Sequence, residues 1–211
     1  ILYGIEALRD AGIKDIFISL SAENPYGFWE LLGDGDEFGV HISYLYQKEA
    51  KGIAWAINEA EPWLRNEPFV VYLGDNIFAD GVSTIISEFR QGLADITAYP
   101  KTPLVALKEV STIEEATRYG VAKFFGDGIQ EFVEKPLDPP SRHIVLGIYC
   151  LTDRFFDGFP LLKPSARGEY EIMDALNLLL PVRGTDYTGD WWDCGVFEDI
   201  LKASEYMRRR K

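Results

Sequence analysis

This sequence predicts an α/β fold with parallel strands joined by crossover helices on both faces, on three observations. Helical and strand-like stretches alternate through residue 91, the order that parallel strands with crossover helices produce. Phe69-Val70-Val71-Tyr72-Leu73 is an unbroken apolar run that stops at Gly74-Asp75-Asn76, the pattern of a strand buried on both faces. Beyond Gly92 the chain turns β-rich, and Gly126-Asp127-Gly128 is a hairpin turn signal. In open α/β sheets ligands bind at the carboxyl ends of the strands, which is where Asp75 falls. Asp75 and Asn76 therefore have two readings. They form a turn or cap the next helix, or they hold a hard cation such as Mg²⁺ against a phosphate.

The chain opens inside a helical pattern, with Ile1, Ile5 and Leu8 on one face and Gly12 as a stop. No Met and no cap precede Ile1, which leaves two readings, a domain that simply starts with a helix and a chain whose beginning is missing. Residues 13–20 read as the first strand, 21–27 as a polar loop and 28–32 as a short helix. The acidic stretch Gly33-Asp34-Gly35-Asp36 lacks the length and closing Glu of a calcium loop and reads as a solvated turn. Residues 41–47 alternate as a second strand, with His41 at its edge and without a chemical role. Residues 53–60 form an amphipathic helix ended by Pro62 or Pro68. The apolar run at 69–73 follows, then a helix at 82–91. Residues 94–110 hold two β-like pieces broken by Pro100 and Pro103. Strands at 118–124 and 129–134 flank the hairpin turn, and Pro136, Pro139 and Pro140 then break the chain. Residues 144–151 (IVLGIYCL) form another buried strand, followed by helices at 171–180 and 198–209. The basic tip Arg208-Arg209-Arg210-Lys211 complements a helix C-terminus. No repeat or interdomain linker interrupts the pattern, so one domain is expected.

The 211 residues suffice for one sizeable core. A formal charge of -13 argues against nucleic acid or an anionic membrane as partner, because both require basic patches. An anionic ligand would need local Lys or Arg side chains, backbone N–H groups or a metal. Two cysteines, Cys150 and Cys194, make neither a disulfide scaffold nor a zinc site, which points to a reducing cytoplasm. No export leader or membrane-length apolar run is visible.

Five motifs then occur in order: Leu73-Gly74-Asp75-Asn76, Arg118-Tyr119-Gly120-Val121, Val133-Glu134-Lys135-Pro136, Lys163-Pro164-Ser165-Ala166-Arg167-Gly168-Glu169 and Trp192-Asp193-Cys194-Gly195. Each is weak alone. Together they resemble the sugar-nucleotide pyrophosphorylases, and are most similar to the glucose-1-phosphate thymidylyltransferases. The resemblance covers essentially the whole chain. It implies a Rossmann-like, mostly parallel but mixed sheet flanked by helices, with a β-hairpin region that closes over a sugar. Residues 1–92 would form the nucleotide half and 93–211 the sugar half. The implied reaction is attack of a sugar 1-phosphate oxygen on the α-phosphorus of a nucleoside triphosphate, with pyrophosphate leaving. Such a displacement depends on positioning and charge neutralisation.

The resemblance also implies roles. Asp75 and Asp193 would hold Mg²⁺. Lys135 would meet the sugar phosphate, and Glu134 would hydrogen-bond sugar hydroxyls. Tyr119 and Gly120 would line the sugar pocket, and Val145, Gly147 and Tyr149 would floor it or simply pack. Gln47 and Gly52 would read the nucleobase, since an amide offers a donor and an acceptor to an imide edge; otherwise Gln47 is a polar strand end. Arg167 and Glu169 are assigned to loop structure, and Trp191 and Trp192 to packing at the pocket edge. A homo-oligomer is implied as well. Glucose 1-phosphate and dTTP are the expected substrates. UTP is the second reading, since one methyl discriminates little.

Two departures from the family pattern stand out. Cys194 occupies a threonine position, and a thiol is the poorer hydrogen-bonding group. The family's Gly-Gly-x-Gly-Thr-Arg loop, with the strand before it and the lysine after it, is not found in these residues. Two neighbouring strands are therefore expected to have unpaired edges, and this polypeptide alone is expected to have little transferase activity. A non-catalytic nucleotide-sugar sensor and a regulatory partner of a complete paralogue are the readings from other classes.

Overall fold

The computed structural model describes residues 1–20, 25–95 and 102–210. Part of the expected loop at 21–27 and part of the β-like region at 94–110 lie outside the described residues. The first half comprises α1 (Leu2–Asp10), β1 (Asp15–Leu20), α2 (Pro25–Leu32), β2 (His41–Tyr46), α3 (Ile53–Glu59), α4 (Glu61–Leu64), β3 (Phe69–Tyr72), β4 (Asn76–Phe78) and α5 (Ser83–Ala94). The second half comprises β5 (Leu104–Glu109), α6 (Ile113–Ala116), β6 (Gly120–Phe125), β7 (Gly128–Glu134), β8 (His143–Leu151), α7 (Arg154–Gly158), α8 (Ile172–Leu178), β9 (Arg183–Asp186), β10 (Trp191–Asp193) and α9 (Phe197–Arg210).

The central strand is β8. Residues 144–151 are all buried, which is why the sequence there is a continuous apolar run. Alternate side chains enter two different cores, as the period of a strand requires. Val145, Tyr149 and Leu151 pack with α3, α7 and α8. Ile144, Leu146, Ile148 and Cys150 pack with α5. Along one edge β8 pairs antiparallel with β5. Along the other it pairs first with β6, at Val121↔Ile144, and then with β3, from Tyr72↔Ile148 to Phe69↔Leu151. The edge thus changes partner around Gly147. The hairpin β6–β7 closes one side of the sheet and β9, parallel to β5, the other.

The sheet is mixed, as expected, but most of its described ladders are antiparallel. Among the described residues only β5–β9 of this sheet and the separate pair β1–β2 run parallel. The strand and helix alternation of the first half does not dictate direction, because β3 pairs with β8 from the second half rather than with β1. The pair β1–β2 forms its own sheet around a small core of Ile5, Ile18, Leu20, Leu32, Val40 and Ile42.

Among the described residues β1 and β3 each pair on one edge only. Both border a cavity of about 1020 Å³ that also touches α1 and α5. This accounts for a departure from the expected burial: Phe69 is buried, but Val70, Val71 and Tyr72 are only half-buried. The short strands β4, β9 and β10 were not expected from the sequence. No helix among the described residues is long and apolar enough to cross a membrane.

Helix α1 is anchored by its buried stripe of Gly4, Ile5 and Leu8. Gly4 lies against the Tyr72 ring, where a Cβ would come within 2.8 Å. At its far end Arg90 of α5 donates to the Ala11 carbonyl at 2.9 Å, satisfying an orphan acceptor of the helix terminus.

Because β8 joins both cores, truncating it should be costly. Ile148→Ala is expected to lower unfolding free energy by about 2–5 kcal/mol. Leu137→Ala, at a fully exposed position, should stay within about 0.5 kcal/mol. Urea denaturation of the two variants checks the contrast.

Candidate active site

The change of partner along β8 leaves a fork, and the polar residues singled out by the sequence converge there. The chain leaving β3 turns through Leu73-Gly74-Asp75, with the Leu73 N–H donating to the Gly147 carbonyl at 2.8 Å. On the other side of the fork, β6 begins at Gly120 and β7 ends at Glu134, paired across the hairpin. Lys135 follows, its N–H donating to the Tyr119 carbonyl at 3.1 Å. The Lys135 backbone has φ of 41°, a left-handed conformation uncommon for a side-chain-bearing residue.

The ribbon β4–β10 brings in the distant acid. Asp193 pairs opposite Asn76, and the Cys194 N–H donates to the Asp75 carbonyl at 2.8 Å. Gly195 shows how close the acids are. A Cβ placed on it would lie 3.2 Å from Asp193 Oδ1 and 3.9 Å from Asp75 Oδ2. Burial, and then repulsion from Asp75, hold the Asp193 carboxyl above its ordinary range. Burial pushes the Cys194 thiol up too, reinforced by Asp193 and Asp75. That keeps it protonated at neutral pH.

The donor set fits a hard cation. One oxygen of each carboxylate lies within 4 Å of the Cβ position of Gly195; Asp193 Oδ1 accepts the Gly195 N–H at 3.2 Å, and Asp75 Oδ2 accepts no hydrogen bond among the described residues. No group of three or more His, Cys, Asp or Glu side chains gathers as a metal site among those residues. One or two carboxylates, completed by water and substrate oxygens, is the usual way Mg²⁺ is held.

Asn76 is buried behind the acids at 4% exposure. Its Oδ1 accepts from the Gly147 N–H at 3.2 Å and the Trp191 indole at 2.8 Å, and its Nδ2 donates to Asp75 Oδ1 at 2.8 Å. Gly147 is glycine for this reason, since a Cβ there would collide with the Asn76 amide. Tyr149, two residues along the same face of β8, is buried; burial first, then the carboxylates of Glu134, Asp75 and Asp193, push its phenol above the ordinary range. One side chain thus senses all three acids.

Glu134 is held in a second network. Burial, then repulsion from Glu171, raises its carboxyl, while Lys135 and Arg167 pull it back. Arg167 Nη2 donates to both oxygens of Glu171, at 2.9 and 3.0 Å, and lies 3.5 Å from Glu134 Oε1. Ser165 Oγ donates to Glu171 Oε1 at 2.7 Å. Arg167 therefore shapes its loop, as the sequence suggested, and also reaches the acid assigned to the sugar. Glu171 was not singled out in the sequence, although its spacing from Arg167 is the i,i+4 of a side-chain pair. Lys135 Nζ sits 3.8 Å from Glu134 Oε1 with its side chain about half exposed.

Tyr119 packs edge-on against Trp191, with ring centroids 5.5 Å apart. Gly120 is buried and faces Met173, whose Sδ would stand 2.5 Å from a Cβ there, so close packing requires this glycine. Val145 lies in the core beneath the same sheet face. Trp192 packs on Tyr206 of α9 at 4.7 Å. Gln47 and Gly52 belong to the first half. The buried Gln47 amide donates to Ser19 Oγ at 2.7 Å. Ser19 and Asp75 both line the large cavity. Gly52 has φ of 95° and abuts the Tyr170 backbone, 2.7 Å from where a Cβ would lie. Backbone geometry alone accounts for glycine at that position.

Comparisons with known proteins agree on one class. The sequence model of the nucleotidyl transferase family matches residues 1–210. The chain is 35% identical over 214 residues to the low-salt glycan biosynthesis nucleotidyltransferase Agl11 of Haloferax volcanii, covering 99% of this chain and 57% of that protein. It is 33% identical over 220 residues to the glucose-1-phosphate thymidylyltransferase of Mycolicibacterium smegmatis, covering 99% and 71%. A provisionally assigned glucose-1-phosphate thymidylyltransferase from Bacillus anthracis, solved with sucrose, superposes with TM-score 0.86 at 34% identity, covering 98% of this chain and 82% of that one. A UDP-glucose pyrophosphorylase solved with UDP-glucose superposes with TM-score 0.81 at 26% identity, covering 100% and 86%. The chain thus spans little more than half of the first of these relatives.

The Asp193 geometry makes a stability prediction. A raised folded-state pKa means that the ionised carboxylate costs stability. The cost is absent below the ordinary value of 3.8, where the group is protonated folded and unfolded, and it is full at neutral pH. Asp193→Asn should therefore raise Tm of the metal-free protein at pH 7, with the gain vanishing in acid. Roughly 2–4 °C, the shift about 1 kcal/mol gives in a chain of this size, is an upper figure, because solvent screens the half-buried group. Differential scanning calorimetry at both pH values measures it.

Proposed function

This chain belongs to the nucleotidyl transferase family, and from that premise we propose that it serves nucleotidyl transfer from dTTP to glucose 1-phosphate. The observation that carries the reading is the convergence of Asp75 and Asp193, remote in sequence, at the fork that also receives Glu134. The names of its relatives supply the substrate pair.

In the proposed reaction a phosphate oxygen of the sugar 1-phosphate attacks the α-phosphorus in line. A new P–O bond forms, the bond to the β-phosphate bridging oxygen breaks, and pyrophosphate leaves with that oxygen. Asp75 and Asp193 hold Mg²⁺, which when bound supplies positive charge to the phosphate oxygens. Lys135 adds a cation for the sugar phosphate. Its left-handed backbone is the kind of local strain that clusters at functional sites. Glu134 accepts hydrogen bonds from sugar hydroxyls, held in place by Arg167. Tyr119 and the Gly120 backbone border the sugar, above Val145, Gly147 and Tyr149. Gln47 and Gly52 face the base from the other half. The likeness to a UDP-glucose pyrophosphorylase favours UTP as a second reading, since uracil presents the same imide edge as thymine.

Ligand stabilisation tests the assignment. At a hundredfold excess over Kd, dTDP-glucose should stabilise the protein by about 2.7 kcal/mol, a Tm rise of roughly 5–10 °C for a chain of this size. Glu134→Ala and Lys135→Ala should each remove most of that shift. If UDP-glucose gives the larger shift, the uridylyl reading takes over. No shift with either nucleotide sugar would refute both. Pyrophosphate release with Mg²⁺, dTTP and glucose 1-phosphate reads transfer itself, which this polypeptide alone is expected to carry out only weakly; turnover near that of a full-length relative would overturn that expectation.

A further inference from the structure

We propose that Asn76 and Trp191 act as a positioning pair that fixes the Asp75 carboxylate for metal binding; this rests on the reading of Asp75 and Asp193 as the metal-holding acids. Asn76 Oδ1 is approached by the Gly147 backbone N–H and the Trp191 indole N–H. Both groups donate and neither accepts, so only the amide oxygen can face them. The Asn76 Nδ2 is thereby directed at Asp75 Oδ1, an acceptor. Every bond in the set is consistent with one arrangement, and the flipped amide would place two donors against its own NH₂.

Asp75 is itself an exposed residue on a turn. Among the described residues its carboxylate has one hydrogen-bond partner, Asn76. With Oδ1 tied back to the amide, Oδ2 is left on the side of Gly195 and Asp193. An untethered aspartate would sample several rotamers, and ordering it would have to be supplied by the metal.

The turn does not need the amide. The Asn76 N–H donates to the Leu73 carbonyl at 3.0 Å, and the Tyr72 hydroxyl donates to the Asn76 carbonyl at 2.9 Å. Ladder pairing to β10 holds the same residue. The backbone is thus fixed independently, which leaves the side chain free for a separate task. Trp191 extends the link outward, because its ring rests on Tyr119 at the sugar side of the fork.

Mn²⁺ titration followed by electron paramagnetic resonance tests this on the 211-residue chain, reading free ion rather than turnover. Asn76→Ala should weaken Mn²⁺ binding by roughly 10–100-fold, the usual consequence of losing a group that orients a metal ligand. Trp191→Phe keeps an aromatic ring next to Tyr119 but removes the N–H together with the ring that carries it, so it should move affinity in the same direction and by less. Ile148→Ala supplies the comparison for destabilisation alone; it should bind Mn²⁺ as the wild type does below its own Tm. Wild-type affinity in folded Asn76→Ala and Trp191→Phe would overturn the proposal, as would an equal loss in Ile148→Ala. Asp75→Asn and Asp193→Asn separate the two levels. If they abolish the site while Asn76→Ala keeps it, the positioning role falls alone. If they leave it intact, the metal reading falls and takes the positioning role with it.

Discussion

One edge of β8 is divided between two strands, and the site follows from that division. β6 holds the start of the edge and β3 the end. Between them the backbone at Gly147 is open to partners that are not strands. Its carbonyl takes the Leu73 N–H and its own N–H is given to Asn76. A side chain at Gly147 would expel the Asn76 amide. So the tether on Asp75 and the hydrogen bond from Asn76 to Trp191 depend on a single residue without a Cβ. Ligand sites form where neighbouring strands part company, and here the parting is built into the pairing register.

In a chain with net charge -13, the proposed anionic substrates require local positive charge at the acid pair. Burial first, and then repulsion from Asp75, raise the Asp193 carboxyl. A shared cation would relieve that repulsion and offer positive charge to phosphate. Nearby cations are already committed in part. Arg118 pairs with Asp199 at 3.3 Å, Arg167 with Glu171, and Lys135 sits near Glu134. The hydrogen bonds to the two acids come from neutral donors, the Asn76 amide to Asp75 and the backbone N–H of Gly195 to Asp193.

Much of the fold was legible because long elements carry a period. The run at 144–151 reads as a doubly buried strand and is one, and the hairpin around Gly126-Asp127-Gly128 forms where its turn residues stand. The strands β4, β9 and β10 were missed because three or four residues are too few to show alternation. Strand direction was missed because β3 takes its partner from a segment more than seventy residues later, and local pattern holds no information about that choice. The meeting of Asp75 and Asp193 was expected only through resemblance; no spacing rule links residues so far apart. Gly120 illustrates a different limit. Its neighbour Met173 comes from α8, so the packing reason for a glycine there was invisible in the sequence around it.

The weakest mechanical link in the site is also its most consequential. The ribbon β4–β10 is two strands of three residues each, and an isolated two-stranded ribbon is at best marginally stable in water. Its position must be set from outside. Trp191 is held between Tyr119 and the Asn76 amide. Trp192 is held by Tyr206 of α9, and α9 is tied back through Asp199 to Arg118, the residue before Tyr119. Asp193 follows these two tryptophans in the chain. Its carboxylate is therefore placed by packing that reaches from Tyr119, through two indoles, to the last helix. Changes in α9 that loosen Tyr206 or Asp199 would act on the acid pair through this route, without touching either carboxylate.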